Sequence, residues 1–199
     1  MRAHRAEGFT LLELMVALTI ASILIAMAVP NFRTMVIKNS VEGQIDRLSA
    51  AIANAKAEAL SRGKSVVICG SANGTSCSGA SDWSTGWIVF VDDGNGGGTA
   101  ADETRHADEI LIAYQNVEGN NELEARDTGG AITALSFSGE SYLNSGRATT
   151  LKVCEPDKDT DYARALVLLG SGQVAYSRDG SGDSDSVHED VAGSNLVCS

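Results

Sequence analysis

One carboxylate interrupts an otherwise apolar run near the start of the chain. From Phe9 to Val29 the sequence reads FTLLELMVALTIASILIAMAV, and Glu13 is its single charge. An ionised carboxylate in hydrocarbon costs about 3 kcal/mol on insertion scales, so it must be protonated or paired. A cut between Gly8 and Phe9 would create an α-amino group four residues before Glu13, a cation on the same or a neighbouring chain able to compensate it. The bland alternative is a glutamate at the edge of a span, reaching for headgroups. At about 1.5 Å per residue the run makes a helix of roughly 30 Å, the thickness of a bilayer core.

Three kinds of segment begin this way: a cleaved secretory signal, a plain signal anchor and a prepilin-type leader. Ala26-Met27-Ala28 fits the small-x-small secretory cleavage pattern. That reading needs a positive region before an apolar core of Leu14 to Met27, and Arg2 and Arg5 are there cancelled by Glu7 and Glu13. Gly8-Phe9-Thr10-Leu11-Leu12-Glu13, behind a short polar leader and ahead of an uninterrupted apolar run, resembles the type IV prepilin (class III) signal of pilins and type II secretion pseudopilins. The resemblance implies cleavage after Gly8 by a prepilin peptidase and N-methylation of Phe9. It also implies that Glu13 sets subunit register in a filament by meeting the Phe9 amine of a neighbour.

The elements that would position these groups emerge from periodicity. Pro30 lacks an N–H and clashes with the preceding turn, so an interruption is expected there. The helical pattern then resumes: Val41, Ile45, Leu48, Ile52, Ala55 and Ala59 form one apolar stripe, with Lys38, Glu42, Asp46, Lys56 and Glu58 on the other face. Gly43 within it marks a second possible bend, Glu58 and Arg62 are an i, i+4 pair, and Gly63 is a natural stop. Beyond Gly63 the period becomes two, predicting strands at 65–69, 86–91, 110–115, 132–138, 149–154, 164–169 and 173–177 between Gly, Asn, Asp and Ser clusters. Strands following one helix indicate an α+β fold with an antiparallel sheet rather than a parallel βαβ array. The expected divisions are a leader (1–8), a transmembrane or filament-core helix (9–29), an amphipathic stalk helix (30–63) and a β-rich head (64–199).

Several internal stretches are similar to the GspH/FimT group of this superfamily. They are Ala55 to Arg62 leading into Val66-Val67-Ile68-Cys69, the stretch Asp82 to Asp92 containing Trp83 and Trp87, Ser136-Phe137-Ser138-Gly139, Ser145-Gly146-Arg147 leading to Leu151-Lys152-Val153-Cys154, and Arg164 to Leu169 followed by Gly172-Gln173-Val174. The resemblance implies a pilin-like fold, a long N-terminal helix packed on an antiparallel β domain, with Trp83 and Trp87 expected as packing residues. It places the head in the periplasm and the helix in the inner membrane. There an even cysteine count favours two disulfides. Cys69, Cys77, Cys154 and Cys198 allow three connectivities, of which Cys69–Cys77 with Cys154–Cys198 is preferred. A zinc site would need close CxxC-type pairs or a histidine partner, which these spacings do not offer.

Other chemistry finds little support. Acidic residues concentrate at 92–109, 155–161 and 179–190. Asp92-Asp93-Gly94-Asn95 and the stretch Asp179 to Asp185 hint at calcium loops, but ligand spacing fails from Asp92 and ends on the short Asp190 from Asp179, so solvated loops are expected. His4, His106 and His188 stand in no nucleophile motif, and no glycine-rich phosphate loop follows a strand. The chain of 199 residues has a net charge of −11, which repels phosphate. Some FimT-type relatives bind DNA through arginines on a C-terminal turn; the corresponding Gly172-Gln173-Val174-Ala175 has none, and only Arg178 follows. Neither a cofactor nor an enzymatic activity is expected. The reading is a minor pilin of a type IV pilus at or near the filament tip that helps prime assembly, with other pilins, a prepilin peptidase and the inner membrane as partners. A GspH-like minor pseudopilin of a type II secretion system is the alternative, and a FimT-like DNA receptor is one of another class.

Overall fold

A computed structural model of the chain describes residues 10–95, 100–179 and 187–198. Among the described residues one α-helix, α1 (Leu11–Arg62), precedes nine strands: β1 (Ser65–Gly70), β2 (Trp87–Asp92), β3 (Leu111–Gln115), β4 (Glu122–Asp127), β5 (Gly130–Ala131), β6 (Ala134–Phe137), β7 (Thr149–Cys154), β8 (Arg164–Leu168) and β9 (Val174–Tyr176), with a single 3-10 turn at Thr160–Tyr162 between β7 and β8. By internal contacts the chain divides into two units, with the boundary between Lys38 and Asn39.

In the first unit the backbone is helical through Pro30, whose missing N–H leaves the ladder one hydrogen bond short without ending the helix. The helical span includes Gly43 as well. Its side chains from Leu11 to Val29 are exposed. An 18-residue window reaches a mean hydropathy of 2.4, which makes this helix long and apolar enough to cross a membrane.

The second unit is the head. All six stripe residues from Val41 to Ala59 are buried, and they share one core with the inner faces of two antiparallel sheets. The first sheet has the order β3-β2-β1-β6 and contributes Val66, Ile68, Val89, Val91, Leu135 and Phe137. The second, β5-β4-β7-β8-β9, contributes Leu123, Ala125, Leu151, Val153, Leu166 and Leu168. Gly63 stops α1 at φ +62°, in the left-handed region that glycine adopts without cost. Lys56 then pins the helix to the β8–β9 turn by donating to the Gly172 carbonyl, and Tyr176 donates to Asp46 at 3.3 Å.

The strand at β4 was not expected from the sequence, because Glu122-Leu123-Glu124-Ala125-Arg126-Asp127 is mostly charged. Its alternation is nonetheless strict: Leu123 and Ala125 enter the core while Glu122, Glu124 and Arg126 face outward. The two-residue β5, Gly130–Ala131, was not expected either, and the other strands overlap the predicted segments. The second is displaced by one residue at each end, and the fourth is trimmed to Ala134–Phe137.

Candidate functional site

The N-terminal group begins with a cap. Thr10 Oγ1 accepts the Glu13 N–H at 3.2 Å, and the Thr10 carbonyl accepts the Leu14 N–H at 3.1 Å. Thr10 and Glu13 have the spacing of a capping box, a sequence signal that a reading of charge alone misses. The helix therefore starts at Leu11, with Glu13 exposed in its first turn, where a negative charge meets the positive end of the helix dipole. Gly8 and Phe9 lie outside the described residues.

In the head the structure brings the cysteines together in two bridges, Cys69–Cys77 and Cys154–Cys198, with Cα separations of 5.5 and 5.9 Å. Each lies on the outer face of a different sheet. Val67, Cys69, Ile88 and Phe90 form an apolar cluster on the outside of the first sheet, joined by Cys77. Cys154, Ala163, Ala165 and Leu196 form another on the second, joined by Cys198. The short bridge thus holds a loop against one sheet, and the long bridge straps the C-terminal segment 187–198 against the other. That strap is further held where Val191 donates to Thr150 Oγ1 and Lys152 to the Val197 carbonyl.

The acidic loop after β2 departs from the expectation of solvated carboxylates. Asp92 is buried and accepts the N–H groups of Ala101 and Glu103, both at 2.8 Å. Glu109 is buried too, and accepts the N–H groups of Asp93, Gly94 and His106. These acids shape the loop by satisfying its amides. Arg105 stitches it to the disulfide loop, donating to the Thr75 and Glu109 carbonyls at 2.6 and 3.1 Å. Burial raises the Asp92 carboxyl above the ordinary aspartate value, partly offset by its two amide donors and reinforced by Glu109 and Asp102. Among the described residues no cluster of three or more His, Cys, Asp or Glu could hold a metal ion. Of the stretch from Asp179 to Asp185, only Asp179 is described.

His188 closes the C-terminal strap. Its Nδ1 lies 2.7 Å from the Ser177 carbonyl and 3.0 Å from Ser177 Oγ, while its own carbonyl accepts the Leu196 N–H at 2.8 Å. Burial lowers its pKa below the usual histidine value, and Arg164 lowers it further. Trp83 and Trp87 are packing residues, both essentially inaccessible to solvent, and Trp83 Nε1 donates to the Ala80 carbonyl at 3.2 Å.

An apolar helix opening on a capped, acid-bearing turn, followed by an α+β head, has the design of a pilin or pseudopilin subunit. The chain belongs to the family of the type II transport protein GspH, which it matches over residues 44–172. It also carries the prokaryotic N-terminal methylation motif over residues 3–29. The family is one of structural subunits rather than enzymes; membership implies assembly with other pilins, and the motif implies prepilin processing. The fold is shared with the type IV minor pilin FimU of Pseudomonas aeruginosa (strain PAO1), at 19% identity and a TM-score of 0.50, covering 69% of this chain and 87% of that one. A second crystal form of FimU aligns at 19% identity with a TM-score of 0.49, covering 68% and 90%. No curated protein sequence matches the chain.

Proposed function

We propose that this chain is a minor pilin of a type IV pilus, incorporated at or near the filament tip, where it helps prime assembly. The observation that carries the reading is the methylation motif leading directly into an exposed apolar helix that continues into a GspH-family head. Cleavage after Gly8 frees and exposes Phe9 for methylation, and leaves the chain one unit more negative by removing Arg2, Arg5 and Glu7. The divisions are a leader (1–8), an inner-membrane and filament-core helix (9–29), a stalk (30–63) and a periplasmic head (64–199). Glu13, exposed in the first turn, meets the Phe9 amine of a neighbour and sets its register, because each group neutralises a charge that hydrocarbon penalises.

The likeness of fold to a type IV minor pilin favours a pilus. The family's own description, a type II transport protein, favours the second reading, a minor pseudopilin of a type II secretion system. Deleting the chain from its host separates them: loss of surface pili with secretion intact supports the first, and the reverse supports the second. The role of Glu13 is tested by Glu13→Ala with Phe9 processing followed alongside. Processing should continue while incorporation into filaments falls; undiminished incorporation would remove Glu13 from the mechanism. DNA is not among the proposed partners, since the β8–β9 turn offers no arginine and the chain is strongly acidic.

A further inference from the structure

Two asparagines of the chain stand directly before a glycine, Asn73 and Asn95. Glycine has no Cβ to hinder its nitrogen, so in such a pair that nitrogen can attack the asparagine Cγ and close a cyclic imide. At Asn73 the fold opposes this step. The pair lies in the loop that the Cys69–Cys77 disulfide closes beside the first sheet.

Ring closure needs a nitrogen that can give up its proton, a carboxamide free to turn its Cγ toward it, and a main chain free to follow. Gly74 is buried, and its N–H donates to Ser71 Oγ at 3.1 Å. Ser71 is buried as well and donates to the Ser76 carbonyl at 2.7 Å. The carboxamide is fixed at both ends. Asn73 Oδ1 accepts the N–H groups of Thr75 and Ser76, each at 2.9 Å, and Nδ2 donates to Ser76 Oγ at 2.9 Å. The Tyr114 ring packs against the main chain, so closely that a Cβ on Gly74 would lie 2.9 Å from its Cδ1. Ser71, Thr75 and Ser76 all lie between the two cysteines, so one covalent bridge confines every hydrogen-bonding partner of the pair. Without it the segment regains the loop freedom that the bridge removes.

We propose that Asn73 is a latent site of spontaneous deamidation, held silent by the Cys69–Cys77 bridge and opened when that bridge is absent. In the step, the Gly74 nitrogen bonds to Asn73 Cγ, the Cγ–Nδ2 bond breaks, and Nδ2 departs as ammonia with the Gly74 proton. Water then opens the imide at one or other carbonyl, leaving aspartate or its β-linked isomer at position 73. The isomer lengthens the main chain by one methylene ahead of Thr75, whose carbonyl accepts Arg105 Nη1 at 2.6 Å. The change is therefore transmitted to the acidic loop after β2, and re-forming the bridge does not reverse it.

The test incubates the full chain in detergent at neutral pH and follows both Asn-Gly pairs by peptide mass spectrometry. The parent is compared with the paired Cys69→Ser, Cys77→Ser variant and with the paired Cys154→Ser, Cys198→Ser variant. Loss of the short bridge should speed conversion at Asn73 roughly tenfold or more, the scale on which small displacements of reacting groups act, and leave Asn95 unchanged. Loss of the long bridge should leave Asn73 as slow as in the parent. Conversion at Asn73 that is fast in the parent, or no faster without the short bridge, would overturn the proposal. So would an equal rise at Asn95, or a rise at Asn73 on loss of the long bridge, since either would assign the effect to general loosening of the head.

Discussion

The carboxylate of Asp92 accepts the main-chain N–H of Glu103, eleven residues further on, at 2.8 Å, and so closes the acidic loop over the outer face of the first sheet. Its other oxygen takes the N–H of Ala101. Ala101 and Glu103 stand at φ values of 61° and 60°, a region that residues with a side chain seldom occupy. Asp92 supplies the bonds that hold them there.

Replacing Asp92 with alanine should therefore cost about 1 kcal/mol, in the range for losing hydrogen bonds to partly buried amides. Amide hydrogen exchange should show the loss first at Ala101 and Glu103, with the stripe of α1 unaffected. Because burial raises the Asp92 pKa, its contribution is fully present below the ordinary value of 3.8 and declines as pH rises through the raised one. Asp92→Asn should flatten that part of the pH profile of urea unfolding.

His188 acts in the opposite sense. Its pKa in the folded chain is depressed, so the stability it contributes is present above the ordinary 6.5 and is lost as pH falls through the depressed value. Acidification should loosen the strap around Leu196. Limited proteolysis of the full chain in detergent should cut within 187–198 faster at pH 5 than at pH 7.5, and His188→Gln should remove most of that difference.

The two disulfides should differ in weight. Loop-closure entropy assigns about 2.6 kcal/mol to the eight-residue separation of Cys69–Cys77 and about 4 kcal/mol to the 44-residue separation of Cys154–Cys198. Paired Cys→Ser changes, measured by denaturant unfolding, should follow that order. Loss of the longer bridge should also expose Ala163 and Ala165, which the strap covers.

Gly70 is a packing constraint. A Cβ there would lie 2.5 Å from Cδ1 of the buried Trp83. Gly70→Ala should cost about 1–3 kcal/mol, the range for overpacking a filled core, and should shift the tryptophan fluorescence. A thermal midpoint unchanged from the parent would show that the ring can move aside.

Much of this architecture is legible in local patterns. The stripe from Val41 to Ala59 marks its buried face because a helix repeats every 3.6 residues, and β1, β2 and β8 stand out as apolar runs bounded by turn residues. At β4 the same logic has only Leu123 and Ala125 to work with, two modest apolar positions among four charged ones, and they are too few to signal a strand. Pro30 removes one bond from the ladder, a local penalty that does not end so long a helix. The Thr10-Leu11-Leu12-Glu13 cap is written in adjacent residues, but the charge of Glu13 is a louder signal than the hydroxyl of Thr10.

Sequence alone determined the apolar helix, the motif at its head, the amphipathic stripe and the α+β character of the domain beyond Gly63, since each is written in residues adjacent or periodically spaced along the chain. Tertiary structure decided which acids are buried and which sheet faces the two disulfide-held segments cover. Those outcomes depend on groups far apart in sequence, such as Lys56 and the Gly172 carbonyl 116 residues away. An aspartate in a Gly- and Asp-rich loop has the same local signature whether water or main-chain amides solvate it. Only the folded chain brings the Ala101 and Glu103 amides to Asp92 and settles the choice.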